Sequence, residues 1–145
     1  MSMKVKDILK SKGSKVWSIQ TKDTIQETVR VLVSEKIGGL LVYDEAQQIV
    51  GIITERDIMR AVHEYGKNIS AASVAKVMTE KVIIGTPDDD LDYIMNIMTQ
   101  NRVRHIPVME NGELQGIISI GDVVKAQLHD SQVQIKYLKD YMNGR

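Results

Sequence analysis

The spacing of apolar residues in the first half of the chain predicts a strand, a helix, two strands and a second helix. An apolar stripe at helical intervals runs through residues 25–33, directly after Thr24, which starts a capping box. Two apolar, β-branched runs follow, and the polar residues between them are typical of a hairpin loop. The predicted elements are a strand at 16–19, a helix that starts at Thr24 and ends before Gly38, strands at 40–43 and 49–54, and a helix at 55–65.

The second half of the chain repeats this order. Leu91 and Met98 stand 66 residues after Ile25 and Leu32, so two helices present the same apolar face. The other matches are a strand at 82–86, a short helix at 74–78 that mirrors residues 4–10, and a hairpin of residues 106–109 and 114–119 turning at Asn111-Gly112. The chain is therefore predicted to contain two copies of one βαββα unit.

One segment marks both copies. Residues 51–58 read Gly-Ile-Ile-Thr-Glu-Arg-Asp-Ile, and residues 116–123, which lie 65 positions later, read Gly-Ile-Ile-Ser-Ile-Gly-Asp-Val. In each, a strand ends at a hydroxyl residue, and an acid follows three positions on, where a helix begins. This spacing is that of a capping box, which stabilises the helix start. A helix N-terminus with a hydroxyl and a carboxylate also suits the phosphate and ribose of a nucleotide, so both roles are open.

Each half is too small to bury a stable core alone, so the halves are expected to pack on each other with pseudo-twofold symmetry and to form two related clefts. The predicted fold is α+β (mixed α/β), with two βαββα repeats and a long C-terminal helix. The first repeat covers residues 1–66, the second covers residues 73–129, and a helical extension covers residues 130–145. The last helix is expected to run from Asp122 to Gly144.

The composition gives no sign of a nucleic-acid or membrane partner. Nineteen basic and nineteen acidic residues cancel, and 43% of the residues are hydrophobic. The chain has no cysteine, no apolar run near the roughly 18 residues of a membrane span, and a start too polar for a secretory signal. We therefore expect a cytoplasmic protein in a reducing compartment.

The candidate chemistry is that of binding and not of catalysis. The three histidines lack metal-ligand spacing, and no serine, histidine and aspartate are arranged as a nucleophile triad. Arg104-His105 stands where the first half has Gly38-Gly39, so the second copy has an added basic pair. A phosphate contact and a solvated basic pair both explain this difference, which predicts unequal clefts. No enzyme activity, catalytic cofactor or metal is expected.

The two Gly-Ile-Ile-[Thr/Ser]-x-x-Asp segments, together with Arg104-His105-Ile106-Pro107-Val108, resemble the motifs of a tandem pair of CBS domains, also called a Bateman module. The resemblance covers residues 3–129. It implies a stand-alone CBS-domain protein that binds AMP, ADP or ATP, or else NAD or S-adenosylmethionine, in clefts between the paired repeats. The resemblance further implies that ligand binding in these clefts changes the conformation of a partner protein. Such a protein acts in signal transduction, for example in energy sensing. The regulated partner protein is left open.

The resemblance also implies roles for individual residues. The assignments are Asp57 and Asp122 for the ribose hydroxyls; Thr54, Arg56 and Ser119 for ribose and phosphate; Arg104 and His105 for phosphate; Ile37, Gly38, Val103, Ile52 and Ile117 for the adenine faces; and the edge strands around Ile19 and Thr86 for backbone hydrogen bonds to the adenine ring. Gly121 departs from the position of Arg56 and removes a basic group from the second copy. The number of occupied clefts and the preferred phosphate chain are therefore open.

Two other functions compete with this one. In the first, both motifs are only helix caps, and the chain is a ligand-free structural or interaction module that mediates protein assembly. In the second, the chain is a phosphohydrolase, but this would need a magnesium cage or a positioned base. We also predict a homodimer, because an apolar seam beyond the repeats needs a surface to cover it; packing on the same subunit is the alternative. The seam consists of Leu128, Ile135, Leu138 and Met142.

Overall fold

Helices and strands follow one another along the chain in nearly the order that the apolar pattern predicts. The computed structural model describes residues 3–13, 15–129 and 132–142. The helices are α1 (Val5–Lys12), α2 (Ile25–Glu35), α3 (Glu55–Tyr65), α4 (Val74–Val77), α5 (Leu91–Asn101), α6 (Ile120–His129) and α7 (Gln132–Met142), with a 3₁₀ helix at Gly66–Ala71. The strands are β1 (Ser18–Gln20), β2 (Gly39–Tyr43), β3 (Ile49–Thr54), β4 (His105–Glu110) and β5 (Glu113–Ser119). The predicted mixed α/β class with two repeats is confirmed.

The chain divides into two units, each with its own sheet. The central unit is Lys15–Ile83, and the terminal unit consists of residues 3–13 and 84–142. In the central unit β1 pairs parallel with β2, and β2 pairs antiparallel with β3. In the terminal unit β4 and β5 form an antiparallel hairpin. Helix α1 therefore belongs with the elements of the second repeat, whereas α4 belongs with those of the first.

The core of the central unit consists of apolar side chains from the three strands, α2 and the start of α4. Its members are Ile19, Ile25, Leu32, Leu40, Val42, Ile53 and Val74. Helix α2 starts at the predicted capping box, in which the Glu27 N–H donates to Thr24 Oγ1 at 3.1 Å. The buried hydroxyl of Thr28 donates to the Thr24 carbonyl at 3.0 Å, so this polar group in the core is satisfied.

In the terminal unit, α1 is tied to the start of α5. The Val5 N–H donates to the Asp89 carbonyl at 3.0 Å, and the Leu91 N–H donates to the Met3 carbonyl at 3.1 Å. The buried apolar residues of this unit come from α1, α5, both strands and α6; they are Val5, Ile8, Leu91, Ile94, Met98, Ile106, Val108, Ile118 and Val123. The apolar face of α1 is thus covered by residues that follow it by more than 80 positions.

Two local features differ from the sequence prediction. The strand predicted at residues 82–86 is reduced to one bridge, between Gly85 and Val108. The chain turns directly after it, because the Thr86 N–H donates to Asp89 Oδ2 at 2.8 Å. Helix α2 ends at Lys36, which has a left-handed conformation with φ 57°, and not at the glycine pair that follows.

The predicted long C-terminal helix cannot be followed as one element in the described residues. Helix α6 ends at His129 and α7 begins at Gln132. Residues 130–131 lie outside the described residues, as do 143–145 and the side chain of Ile135. Leu128, Leu138 and Met142 of the predicted seam are exposed.

A glycine in each unit allows a helix to lie close to a strand. A Cβ atom on Gly51 of β3 would lie 2.8 Å from the backbone oxygen of Thr79 and 2.8 Å from Met78 Sδ, in the segment that follows α4. A Cβ atom on Gly116 of β5 would lie 2.7 Å from Leu9 Cδ2 of α1. These distances are too short for real atoms. At Gly51 one neighbour is a backbone oxygen, so close packing requires the glycine, whereas at Gly116 the neighbour is the flexible end of Leu9.

We predict that Gly51→Ala destabilises the protein more than Gly116→Ala. The Thr79 carbonyl cannot move away easily, because it accepts a hydrogen bond from the Ile52 N–H at 3.0 Å. Forcing a methyl group into this space should lower the free energy of unfolding by about 1–3 kcal/mol. Leu9 can rotate, and alanine restricts the unfolded chain, so Gly116→Ala should cost less. Urea unfolding measures both, and equal losses would contradict this account.

Candidate functional site

The junction between β3 and α3 in the central unit is the predicted capping box. The Thr54 N–H donates to Asp57 Oδ2 at 3.0 Å, and the Asp57 N–H donates to Thr54 Oγ1 at 3.4 Å. These bonds satisfy N–H groups at the start of α3 that have no partner within the helix. The capping role of this motif is therefore present in the fold.

The carboxylate of Asp57 is engaged on both oxygens. Oδ2 also accepts the Thr54 hydroxyl at 3.2 Å. Oδ1 accepts the Thr79 hydroxyl at 2.9 Å and lies 3.6 Å from Nη1 of Arg60. Asp57 is only 5% exposed. Its charge is compensated within the central unit, as a buried carboxylate requires.

The junction between β5 and α6 in the terminal unit has the same backbone bonds but a different partner for its acid. The Ser119 N–H donates to Asp122 Oδ2 at 2.9 Å, and the Asp122 N–H donates to Ser119 Oγ at 3.1 Å. Nζ of Lys12, at the end of α1, donates to the same Oδ2 at 2.6 Å and to the Ile117 carbonyl at 2.7 Å. Within the described residues, Asp122 Oδ1 accepts no hydrogen bond, and 24% of the side chain is exposed.

The pKa of Asp122 is lowered from its ordinary value. Burial acts to raise this pKa, but the hydrogen bonds from Lys12 and from the Ser119 N–H and hydroxyl, together with the positive charge of Lys12, outweigh it. The carboxylate is therefore ionised at neutral pH and can accept hydrogen bonds from further donors.

The strand beside each junction brings in the residues at which the two copies differ. In the terminal unit His105 pairs with Ser119, and the Ile120 N–H donates to the Arg104 carbonyl at 2.8 Å. In the central unit Gly39 pairs with Thr54, and the Gly38 carbonyl accepts the corresponding hydrogen bond from the Glu55 N–H at 3.0 Å. The structure thus places the basic pair next to the Ser119–Asp122 motif. The side chain of Arg104 is exposed, and His105 is half-buried.

The other predicted site residues lie around these two junctions with different exposures. Ile52 and Ile19 are buried in the central unit, whereas Ile37, Val103 and Ile117 are half-buried and Arg56 is exposed. Gly38 and Ile37 line an open groove of about 610 Å³ along α2 and α3. Thr86 is exposed and its N–H is bonded to Asp89. The roles assigned to these residues stay predictions.

Lys12 and Thr79 are the site residues that sequence reasoning missed. Lys12 is the last residue of α1 and donates a hydrogen bond to Asp122. Thr79 lies two residues after α4 and donates a hydrogen bond to Asp57. The sequence signal was the repeated glycine, which indicates that another segment of the chain lies close to the strand there. Among the described residues, no group of three or more His, Asp or Glu side chains could hold a metal ion. No described helix is long and apolar enough to cross a membrane.

Comparison with known proteins gives consistent matches. A family model described as "CBS domain" matches residues 5–64 and 74–129. The mitochondrial CBS domain-containing protein CBSX3 of Arabidopsis thaliana is 37% identical over 152 aligned positions, which cover 99% of this chain and 73% of the relative. The crystal structure of the CBS-domain containing protein ATU1752 from Agrobacterium tumefaciens has a TM-score of 0.85 and 43% identity, and the match covers 88% of this chain and 95% of that chain.

A further solved structure carries ligands. It is the CBS domain pair of protein MJ0100 in complex with 5′-methylthioadenosine and S-adenosyl-L-methionine. It matches with a TM-score of 0.77 and 25% identity over 90% of this chain and 100% of that chain.

We predict that Asp122 contributes a pH-dependent part of the stability. Because its pKa is lower in the folded than in the unfolded chain, the contribution is complete above the unfolded value of about 3.9 and is lost as the pH falls through the lower folded value. The partly exposed pair with Lys12 sets the size at about 1 kcal/mol or less. Urea unfolding at pH 7 and pH 3 should show that Asp122→Asn weakens this dependence. The matched change Glu113→Gln, at an exposed acid of β5, should leave the pH dependence unchanged. An equal effect of both changes would refute the assignment of this pH dependence to Asp122.

Proposed function

Because the chain belongs to the CBS domain family and has two copies of that domain, we propose that it is a non-catalytic regulatory module for adenosyl nucleotides. Its ligand would be AMP, ADP or ATP, or else NAD. Binding would change the conformation of the module and thereby signal to a partner protein. The resemblance inferred from the two glycine-to-aspartate motifs is confirmed at the level of the family.

The observation that carries the proposal is the arrangement at the β5–α6 junction. An ionised carboxylate, Asp122, has one oxygen without a hydrogen-bond donor in the described part of the chain. Ser119 stands beside it at the helix start, His105 lies on the neighbouring strand β4, and Arg104 directly precedes that strand. A ribose offers hydroxyl donors for such a carboxylate, and a phosphate suits both the helix start and the basic pair.

The ligands of one relative support the same class. The domain pair of protein MJ0100 holds 5′-methylthioadenosine and S-adenosyl-L-methionine, which share adenine and ribose. A ligand-free interaction module is the outcome to be tested against this proposal, and incubation with ATP and magnesium followed by product analysis tests for phosphohydrolase activity. A cytoplasmic location is also proposed, since the chain has no cysteine.

We expect AMP, ADP, ATP or NAD to raise the melting temperature of the protein. Ligand at a hundredfold over its dissociation constant adds about 2.7 kcal/mol to the free energy of unfolding, which a thermal shift assay detects. Asp122→Asn should weaken binding at least about tenfold, because a hydrogen bond to a charged group contributes about 1.5–3 kcal/mol. Glu113→Gln is the control. If all four compounds at millimolar concentration leave the melting curve unmoved, the chain is not a sensor of these nucleotides.

The proposed module is a homodimer whose subunits meet through the open groove along α2 and α3. Val29, Val33 and Met59 are exposed there. Lys36 and Glu55 also line this groove. In a twofold interface the lysine of one copy can face the glutamate of the other, so a second copy is the occupant that complements this surface. Leu138 and Met142 of α7, in the terminal unit, are also exposed, and the tail is proposed separately as a dimer contact.

We expect Met59→Glu to convert the dimer to a monomer at micromolar concentration, as measured by light scattering. The new carboxylate would have to be buried in an apolar interface without a partner. Ile84→Glu, at an exposed apolar residue outside the groove, should leave the mass unchanged. Deletion of residues 131–145 tests the tail separately: an unchanged dimer would remove the tail from the interface, and a dimeric Met59→Glu protein would remove the groove.

A further inference from the structure

We propose that the two junctions differ in function: the Asp122 junction is the nucleotide site, the Asp57 junction is structural, and Lys12 is a ligand-binding residue that selects an anionic ligand. This inference rests on the proposed function and adds to it the location of the site and the ligand class. It assigns a role to a side chain that lies outside both repeated motifs.

The first step is the difference in available acceptor capacity. Both oxygens of Asp57 are already engaged, by Thr54, Thr79 and Arg60, and the residue is nearly inaccessible. Asp122 has the same two backbone bonds to its helix cap, but the bonds from Lys12 and the Ser119 N–H both go to Oδ2, and Oδ1 accepts no hydrogen bond in the described part of the chain. A ribose hydroxyl can therefore bind Asp122 without breaking an existing bond, whereas at Asp57 it must displace a protein donor that would then lose its partner.

The second step is the charge that each short helix brings to its acid. In the central unit Thr79 offers a neutral hydroxyl. In the terminal unit Lys12 offers an ammonium group, and its side chain is still 32% exposed. An ammonium group has three N–H donors, and two of those on Lys12 are directed at Asp122 and the Ile117 carbonyl. The third donor is available to an anionic group bound beside the carboxylate.

The third step is that basic residues from two separate segments lie at the same junction. Lys12 ends α1, and Arg104 directly precedes β4, where its carbonyl accepts the Ile120 N–H at 2.8 Å. Two separate parts of the chain thus place a basic residue at one junction. Within the described residues the exposed guanidinium of Arg104 makes no ion pair. Asp122 neutralises only one of these two positive charges. The excess positive charge favours a nucleotide with a phosphate over a neutral nucleoside.

The test compares AMP with 5′-methylthioadenosine, which shares adenine and ribose but lacks phosphate. Isothermal titration calorimetry of the wild-type chain should give tighter binding of AMP and one AMP per chain. Lys12→Gln keeps a hydrogen-bond donor near Asp122 but removes the charge. It should weaken AMP binding about tenfold, as for loss of one charge-assisted hydrogen bond, while 5′-methylthioadenosine binding changes by less than about twofold.

Two variants make the result specific. Lys12→Arg keeps the positive charge and should keep the preference for AMP. Lys10→Gln, at an exposed lysine of the same helix, should bind AMP like the wild type. Circular dichroism checks that each variant is folded, and Lys12→Arg still tests the charge if Lys12→Gln does not fold.

Each contrary outcome has its own meaning. Equal effects of Lys12→Gln on both ligands, or loss of the AMP preference in Lys12→Arg, would refute the role of Lys12. Two AMP molecules per chain would refute the difference between the junctions. Failure of the wild type to bind either compound, together with no thermal shift from ADP, ATP or NAD, would instead refute the proposed function itself.

Discussion

The close approach of a short helix to a strand glycine determines the rest of both sites. Where β3 carries Gly51, the segment after α4 comes within reach of the acid three residues beyond the strand, and Thr79 bonds to Asp57. Where β5 carries Gly116, α1 lies against the strand and Lys12 reaches Asp122. A side chain at Gly51 would press on the Thr79 backbone and move Thr79 away from Asp57, whereas at Gly116 the Leu9 side chain would have to rotate to make room. The glycines therefore influence the two aspartates indirectly, because they set the distance between the strand and the segment that carries Thr79 or Lys12.

The sequence predicted those parts of the fold that depend on neighbours close in the chain. Thr54 and Asp57 are three residues apart, so their capping box follows from local spacing, and the same holds for Ser119 and Asp122. Lys12 lies 110 residues from Asp122, and no local pattern connects them. The same limit applies to Gly85, whose single bridge depends on the register of a distant strand.

A second limit is conformational. The glycine pair after α2 looked like a helix stop, yet the left-handed residue is Lys36, two positions earlier, and Arg102 has the same conformation after α5. A left-handed backbone is unfavourable for residues with a Cβ atom, so sequence rules place it at glycine. Here the bonds of the last helical turn, such as that from the Ile37 N–H to the Leu32 carbonyl at 3.1 Å, hold the lysine in it.

The placement of α1 also bears on how the chain folds during its synthesis. The Ile117 carbonyl that binds Lys12 is made 105 residues after it, which at about 5–20 residues per second corresponds to roughly 5–20 s. A helix of eight residues is too short to persist alone in water, so the apolar side chains of Val5 and Ile8 must wait uncovered for that time. The central unit can fold first, because its last residue, Ile83, precedes the whole of α5. We expect α1 of ribosome-bound chains to be cleaved by protease until β5 has emerged, because α1 is made before its partners in the terminal unit.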